Sequence, residues 1–174
     1  MKKILALFSI CIFVYILSRA HILYINPMRK LSVGGLNSYD VILTKNEKFH
    51  LYVIQINKRV SYESENIRIA TVNLNGSIRA WQAGTTMIRV RYDHKVLRCR
   101  VKVIALNHES LKLKVGQKKY LRVQNTINGV KYQSSDKNVA SVDRYGKIKA
   151  KKKGTAVITA TYKKKKMTCK VTVR

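Results

Sequence analysis

Apolar and polar residues alternate with a period of two along much of the chain. The segments LKLKV (111–115), GKIKAK (146–151) and CKVTV (169–173) place an apolar side chain at every second position. This spacing is typical of half-buried β-strands, and turn signals such as NTING and SSDKN interrupt it. For the C-terminal part the pattern predicts seven short strands, at 111–115, 118–123, 130–133, 139–142, 147–150, 155–162 and 167–173.

The same pattern occurs twice. When residues 41–104 are aligned without gaps on residues 111–174, twenty of the 64 positions are identical, among them Gly76/Gly146 and Cys99/Cys169. A repeat at a fixed offset indicates two copies of one structural unit. We therefore predict an all-β fold of two tandem sandwiches of about seven strands each, one over 41–104 and one over 105–174. The connection between them is short and leaves their relative tilt undetermined.

The N-terminus has the features of a targeting segment. Lys2 and Lys3 precede an apolar run over 4–17, and Ser18 and Ala20 offer small residues for cleavage before His21. If cleavage does not occur, residues 4–25 are about long enough for a membrane anchor helix. We therefore assign 1–25 as a signal peptide or a membrane anchor and 26–40 as a linker, and in either case we expect the rest of the chain to be exported.

The positive charge is large and uneven. The chain has 36 Lys and Arg against 8 Asp and Glu, a net charge of +28, and residues 105–174 alone carry +16. Such an excess attracts polyanions without sequence preference. Many lysines alternate with apolar residues and therefore belong to the solvated face of strands, where they also protect sheet edges. Two loop clusters remain as candidate polyanion contacts: Lys151, Lys152 and Lys153, and Lys163, Lys164, Lys165 and Lys166.

The strand predicted at 155–162 separates these two clusters. Eight extended residues span roughly 26 Å, well beyond the Debye length of about 8 Å, so the clusters lie at opposite poles of the domain. If the two domains stack end to end, 163–166 faces the joint between them. Trp81, at the position equivalent to Lys151, is then predicted to pack at that joint, under a lysine in cation–π contact. An exposed sugar-stacking ring and a half-buried surface tryptophan are the alternatives.

Residues that could carry chemistry are scarce. The four histidines lack ligand spacing with each other or with the cysteines, and no Ser/His/Asp or Cys/His set has motif support. The eight acids form neither a carboxylate pair nor a calcium loop. Cys99 and Cys169 fall on the inward phase of their strands, so we expect buried, inert thiols. We therefore expect no enzymatic activity, no cofactor and no metal.

Three segments of the C-terminal part resemble a known family: LKLKVGQKKYLRV (111–123), VKYQSSDKNVASVDRYGKIKAKKKGTAVITATY (130–162) and CKVTV (169–173). In this order they resemble the bacterial immunoglobulin-like domains of group 2, the repeats of intimin- and invasin-type surface proteins. The resemblance covers nearly all of 106–174, and it extends more weakly to 31–104 through the internal repeat. It implies immunoglobulin-like (Ig-like) sandwiches that serve as surface stalks or adhesion modules, and it implies no particular ligand.

The sequence thus predicts a non-catalytic, exported bacterial surface protein that acts as an Ig-like spacer or adhesion module. Its partner would be another surface protein, with the membrane added if the N-terminal segment is retained. The alternative is electrostatic binding of a polyanion, such as wall teichoic acid, anionic lipid or extracellular nucleic acid, through the lysine loops. Sequence-specific nucleic acid binding is not expected.

Overall fold

The computed structural model describes residues 33–174, so the expected signal or anchor (1–25) and most of the expected linker lie outside the described residues. All regular secondary structure in 33–174 is β, which confirms the all-β prediction. Over the same residues, no helix is long and apolar enough to cross a membrane. The strands are β1 Asp40–Thr44, β2 Lys48–His50, β3 Ser61–Ser64, β4 Ala70–Val72, β5 Ser77–Ala80, β6 Gly84–Tyr92, β7 Lys95–Leu106, β8 Ser110–Leu113, β9 Lys118–Tyr120, β10 Val123–Gln124, β11 Val130–Ser134, β12 Ala140–Val142, β13 Lys147–Ala150, β14 Gly154–Tyr162 and β15 Lys165–Val173.

Strands β1 to β7 form two sheets around one core. The larger sheet has the order β1-β7-β6-β3, in which β1 runs parallel to β7 and the other pairs are antiparallel. The smaller sheet has the order β2-β5-β4. Apolar side chains of both sheets, such as Ile78 on β5 and Ile88 on β6, are fully buried in the same cluster. We call this unit the first sandwich.

Strands β8 to β15 repeat this arrangement in the second sandwich. Its sheets have the orders β8-β15-β14-β11 and β9-β13-β12, and β8 runs parallel to β15 as β1 does to β7. The register repeats as well, since Gly84 pairs with Val103 and Gly154 pairs with Val173. Each sandwich has its own buried apolar cluster. The repeat in the sequence therefore corresponds to a repeat in strand order and pairing.

One glycine of the repeat is required by backbone geometry. Gly76 and Gly146 have φ of 77° and 79°, a region that side-chain-bearing residues rarely adopt. A Cβ at these positions would lie 2.0 Å from the carbonyl oxygen of Leu51 and 2.1 Å from that of Leu121. The same close approach in both sandwiches explains why glycine occupies both positions.

The predicted strand at 118–123 is divided in the structure. β9 pairs with β13 in the smaller sheet, whereas β10 pairs with β7. Between them lies Leu121, which is fully buried and whose N–H donates to the carbonyl of Gly146. The division arises because the chain must leave one sheet to reach the other, and alternation along the sequence does not record which sheet a residue joins.

Part of the segment expected to be linker (26–40) belongs to the first sandwich. Leu36 is fully buried in its core and forms a bridge with Val53. The side chain of Asn37 donates to His50 O and accepts from Tyr52 N. Asn107 makes the same two bonds, to Tyr120 O and from Arg122 N. The structural repeat therefore starts at least as early as Leu36 and Leu106.

Candidate functional site: the joint, the lysine loops and a basic face

The two sandwiches are joined by a strand that both of them use. Residues 95–103 of β7 pair with β6, and Arg100 to Ile104 pair with β1. The next two residues, Ala105 and Leu106, pair with Gln124 and Val123 of the second sandwich. The sequence left the relative tilt of the two units undetermined; in the structure, hydrogen bonding of β7 to both sandwiches fixes the direction of the chain through the joint.

Apolar packing closes the joint. Ile104, Val123 and Ala160 form a separate buried cluster, and Ile104 is fully buried. Ile42 of the first sandwich and Tyr162 of the second pack against this cluster. Since residues of both sandwiches bury the same side chains, separating the sandwiches would expose apolar surface.

Asn125 bonds across the joint from the loop after β10. Its Nδ2 lies 2.7 Å from Gly84 O, 3.0 Å from Val103 O and 3.2 Å from Thr85 Oγ1, all in the first sandwich. Asn125 has a φ of 59°, a left-handed conformation that asparagine tolerates better than most residues. The backbone conformation and the side-chain bonds therefore both suit asparagine at this position.

Charged pairs complete the joint. Lys165 Nζ pairs with the carboxylate of Glu47, and both side chains are about 30% exposed. Burial acts to raise the pKa of Glu47, but the hydrogen bonds from Lys165 and from the N–H and hydroxyl of Thr44 outweigh it, so this pKa lies below its usual value. Lys45 and Glu109 form a more exposed pair at 3.1 Å.

The structure places the two lysine clusters at opposite ends of β14. Lys163 and Lys164 form the turn between β14 and β15, and Lys165 and Lys166 begin β15 on the side of the joint. Lys165 is engaged with Glu47, which reduces the charge that this end can offer to a ligand. The loop 151–153 lies at the far end of the second sandwich, where all three lysines are exposed.

Trp81 makes its side-chain polar contacts with residues of the first sandwich. Its Nε1 donates to Thr71 Oγ1 at 2.9 Å, and the guanidinium carbon of Arg79 lies 4.3 Å from the ring centroid. The residue is 39% exposed. Among the described residues, the cation that lies over the Trp81 ring is therefore Arg79, not a lysine of the second sandwich. A packing role for Trp81 at the joint stays a prediction.

The second sandwich has a basic face that the runs of lysine in the sequence do not reveal. Lys147 and Lys149 alternate on β13 with buried Ile148 and Ala150, so they point outward from the smaller sheet. Lys149 pairs with Lys118 on β9, and Lys147 pairs with Tyr120. From the sequence, these outward positions are expected to belong only to the solvated face of strands.

A groove adjoins this face and has a volume of about 570 Å³. Arg122, Arg144, Tyr120 and Tyr145 are among the residues that line it. Tyr145 is 66% exposed. The available sequence signal was a departure from the repeat, because the first sandwich has Tyr52, Leu74, His50 and Asn75 at these four positions.

The cysteines lie where the alternation predicts. Cys99 and Cys169 are free and fully buried in the cores of separate sandwiches. Burial raises the pKa of the Cys99 thiol to about 12 and that of Cys169 to about 11, which disfavours the nucleophilic thiolate. Within residues 33–174, no group of three or more His, Cys, Asp or Glu side chains is placed to hold a metal ion.

Solved structures that match the chain include an S-layer protein and a fragment of intimin. The S-layer protein rSbsC(31-844) has 22% identity and a TM-score of 0.36, and the match covers 73% of this chain and 22% of that one. A C-terminal 282-residue fragment of intimin, solved with the intimin-binding domain of its translocated receptor, has 14% identity and a TM-score of 0.41, covering 73% and 57%. Both TM-scores are low, and neither likeness bears on function.

Comparison of the sequence with known families and proteins gives a more specific result. An uncharacterized protein of Clostridium acetobutylicum is 36% identical over 118 residues, which are 60% of this chain and only 12% of that protein. Residues 100–173 match the family model of the bacterial Ig-like domain (group 2). The second sandwich, together with the end of the strand that leads into it, is therefore similar to the bacterial Ig-like domains of group 2.

Proposed function

We propose that this chain is a non-catalytic, exported bacterial surface protein in which two Ig-like domains form a spacer and adhesion module. The match of residues 100–173 to the group 2 domain supports this class, as does the small number of side chains suited to catalysis. We propose further that the first sandwich is a diverged copy of the same domain. Its strand order, its turn glycine and its Asn37 bonds all have equivalents in the second sandwich.

The observation that carries the spacer function is the continuity of β7 through the joint. A flexible tether would let the second sandwich fold back on the first. Here the shared strand, the buried Ile104 cluster and the Asn125 bonds all oppose bending. In this proposal the spacer holds the 151–153 loop and the basic face at a fixed distance from the first sandwich, and the partner is a surface component outside the cell.

A distance measurement tests the spacer. The full chain, in detergent micelles and with Cys11→Ser, would carry spin labels at Val96→Cys and Lys153→Cys, which lie on different sandwiches and are both exposed. We expect a single narrow distance distribution by pulsed electron paramagnetic resonance. A broad or multimodal distribution in the otherwise wild-type chain would reject the spacer.

A matched pair of variants then assigns the rigidity to the joint. Asn125→Gly removes the bonds across the joint while allowing the left-handed backbone, so we expect the distribution to broaden. Gln55→Gly makes the same type of change at the equivalent position of the first sandwich, where φ is 52°, and should leave the distribution unchanged. Equal broadening in both variants would mean that Asn125 does not hold the joint.

Polyanion binding through the lysine loops is the second candidate. The exposure of Lys151, Lys152 and Lys153 favours it at the far end, whereas the pairing of Lys165 with Glu47 weakens it at the joint end. We expect wild-type binding to teichoic acid, heparin or single-stranded DNA to fall steeply between about 50 and 200 mM salt. Replacement of the three lysines by serine would reduce that binding if the loop is the contact. Unchanged binding would exclude the loop.

A further inference from the structure

We propose that the outer face of the β9-β13-β12 sheet, together with the adjoining groove, binds an anionic polysaccharide. The site consists of Lys118, Lys147, Lys149, Arg122 and Arg144 with the rings of Tyr120 and Tyr145. It lies on the side of the second sandwich and is distinct from both lysine loops. The proposal goes beyond the spacer function and does not depend on the rigidity of the joint.

The charges of this face are arranged in a regular pattern. Lys149 is paired across strands with Lys118, and two residues further along the same strands Lys147 is paired with Tyr120. Neighbouring strands are about 4.8 Å apart, and outward residues on one strand are about 6.8 Å apart. Cations at such intervals suit a linear polymer that carries charge at regular intervals. They also repel one another without a ligand, because like charges opposite each other destabilise a sheet.

The groove brings cations and tyrosine rings together. The guanidinium carbon of Arg144 lies 4.7 Å from the ring centroid of Tyr145. The guanidinium carbon of Arg122 and the ammonium nitrogen of Lys147 lie 5.5 and 5.8 Å from the ring centroid of Tyr120. The groove lining contains no carboxylate among the described residues. The adjacent Asp143 uses its Oδ1 to accept the N–H groups of Tyr145 and Lys147. The positive charge of the groove is therefore not neutralised by an ion pair within it.

The first sandwich shows that the fold does not need this groove chemistry. At the positions of Tyr120, Arg122, Arg144, Tyr145 and Lys147 it has His50, Tyr52, Leu74, Asn75 and Ser77. The strand order and pairing are nevertheless the same in both sandwiches. In the smaller sheet of each sandwich, two cations also lie opposite each other on neighbouring strands. They are Lys48 and Arg79 in the first sandwich and Lys118 and Lys149 in the second. Exposed rings also occur in the first sandwich, at His50 and Tyr52. What distinguishes the second sandwich at these positions is three added cations and the exposed ring of Tyr145, for which folding provides no reason.

The chemistry favours a charged sugar polymer over other polyanions. The planar arginine side chain forms two parallel hydrogen bonds with a carboxylate or phosphate, a geometry that lysine loops lack. A cation already lies over each of the two rings, which limits stacking of nucleic acid bases. The exposed Tyr145 and the fully exposed Ile127 leave apolar surface for the C–H groups of sugars. Carboxylate and phosphate groups on the polymer would both accept hydrogen bonds from the same arginine and lysine side chains.

Binding of defined polymers to the full chain in detergent micelles tests the proposal. The probes are polygalacturonate for carboxylate, a teichoic acid with sugar phosphate repeats for phosphate, neutral dextran and single-stranded DNA. The face variant combines Arg122→Tyr, Arg144→Leu and Lys147→Ser, which are the residues of the first sandwich at those positions. The loop variant combines Lys151→Ser, Lys152→Ser and Lys153→Ser and removes the same number of charges.

We expect the wild-type chain to bind at least one of the two anionic polymers. The face variant should weaken this binding by about tenfold or more, and the loop variant should weaken it by less than about threefold. Tyr145→Asn, which removes a ring and no charge, should weaken binding without changing its dependence on salt. Comparison of polygalacturonate with teichoic acid identifies the anionic group. Dextran should not bind.

Several results would overturn the proposal. Equal losses in the face and loop variants would mean that binding follows net charge alone, and loss only in the loop variant would move the site to the far end. Tighter binding of single-stranded DNA than of either polymer, or no binding of either polymer, would reject the ligand class. Melting curves of both variants check the fold. The spin-label distances report on the spacer separately, so the two proposals can fail independently.

Discussion

Thr86 lies in the first core with a hydroxyl group that has no hydrogen-bond partner among the described residues. The equivalent position in the second sandwich holds Ala156, which is also buried. A buried hydroxyl without a partner loses its hydration and gains nothing in return. The two sandwiches therefore have different residues at the same core position, and Thr86 adds a polar atom that the packing does not require.

Replacing this hydroxyl should stabilise the protein. Thr86→Val keeps the shape of the side chain and removes the polar atom, so we expect the free energy of unfolding to increase by about 1 kcal/mol. Urea denaturation of the full chain measures the change. Ser134→Ala is the opposite control, because the Ser134 hydroxyl donates to Ala140 O at 2.6 Å and its loss should destabilise. A Thr86→Val protein that is less stable than wild type would show that the hydroxyl has a partner in solution.

Alanine at the repeated turn glycine should be strongly destabilising. In Gly146→Ala the new Cβ would meet the carbonyl oxygen of Leu121 at 2.1 Å, and φ would remain positive. Left-handed backbone strain and displacement of that carbonyl together should lower the free energy of unfolding by about 3 kcal/mol. Gly116→Ala is an informative control, because its φ is also positive but a Cβ there would meet no atom within 4 Å. If both changes lowered the free energy of unfolding equally, the whole loss would come from the positive φ and none from the contact with Leu121.

At the scale of elements, β7 determines how the sandwiches are joined. Ten of its residues complete the larger sheet of the first sandwich, and its last two pair with β10. Glu47 lies in the turn between β1 and β2, where one oxygen accepts from Thr44 and the other pairs with Lys165. In the second sandwich the equivalent Gln117 makes the turn contact, accepting from the N–H of Lys114, and carries no charge. The charge of Glu47 therefore serves the joint rather than the turn.

The stability of the joint should depend on the charge of Glu47. Its folded-state pKa lies below the unfolded value of about 4.3, so the ionised form stabilises the folded joint above that pH. This contribution is lost as the pH falls through the lower, folded-state pKa. We expect Glu47→Gln, which keeps a turn acceptor, to reduce the difference in unfolding free energy between pH 6 and pH 3.

Denaturation of the full chain at a series of pH values measures this effect. Glu109→Gln is the matched control, because Glu109 also pairs with a lysine across the joint but is 71% exposed. Exposed ion pairs contribute little to stability, so this variant should keep nearly the wild-type pH profile. A Glu47→Gln profile identical to that of the wild type would contradict a role for this pair.

At the scale of the whole molecule, the shared strand and the joint cluster couple two cores that are otherwise separate. Ile104 contacts this cluster and is fully buried. Ile104→Ala should lower the free energy of unfolding by about 2 to 5 kcal/mol and separate the unfolding of the two sandwiches into two transitions. Calorimetry of the full chain detects this. Ile78→Ala changes only the core of the first sandwich, so it should lower the stability of the protein without separating the unfolding of the two sandwiches into two transitions.

Most of the fold could be predicted because its signals are local. Alternation identifies strands, and the glycines and polar residues of the turns separate them. The repeat then supplies a second copy of each signal, which is why strands such as β13 and β14 were located within a residue or two. The division of β9 from β10 and the place of Leu36 were missed, because both depend on which sheet a segment joins.

The candidate surfaces were predicted less completely. Runs of consecutive lysines are visible in the sequence, so both loops were found. The basic face was not, because its outward lysines follow the same alternation as any solvated strand. Arg122 and Arg144 are 22 residues apart in the sequence, and only the packing of β10 and of the turn after β12 brings them to one groove.

The sequence by itself determined the class of fold, the number of repeats and the burial of the cysteines, since each follows from side-chain periodicity over a few residues. Tertiary structure alone decided the joint and the groove. Glu47 and Lys165 are 118 positions apart, and Asn125 reaches a carbonyl 41 positions away. No local pattern encodes such contacts, because they depend on how two complete sandwiches meet along a shared strand.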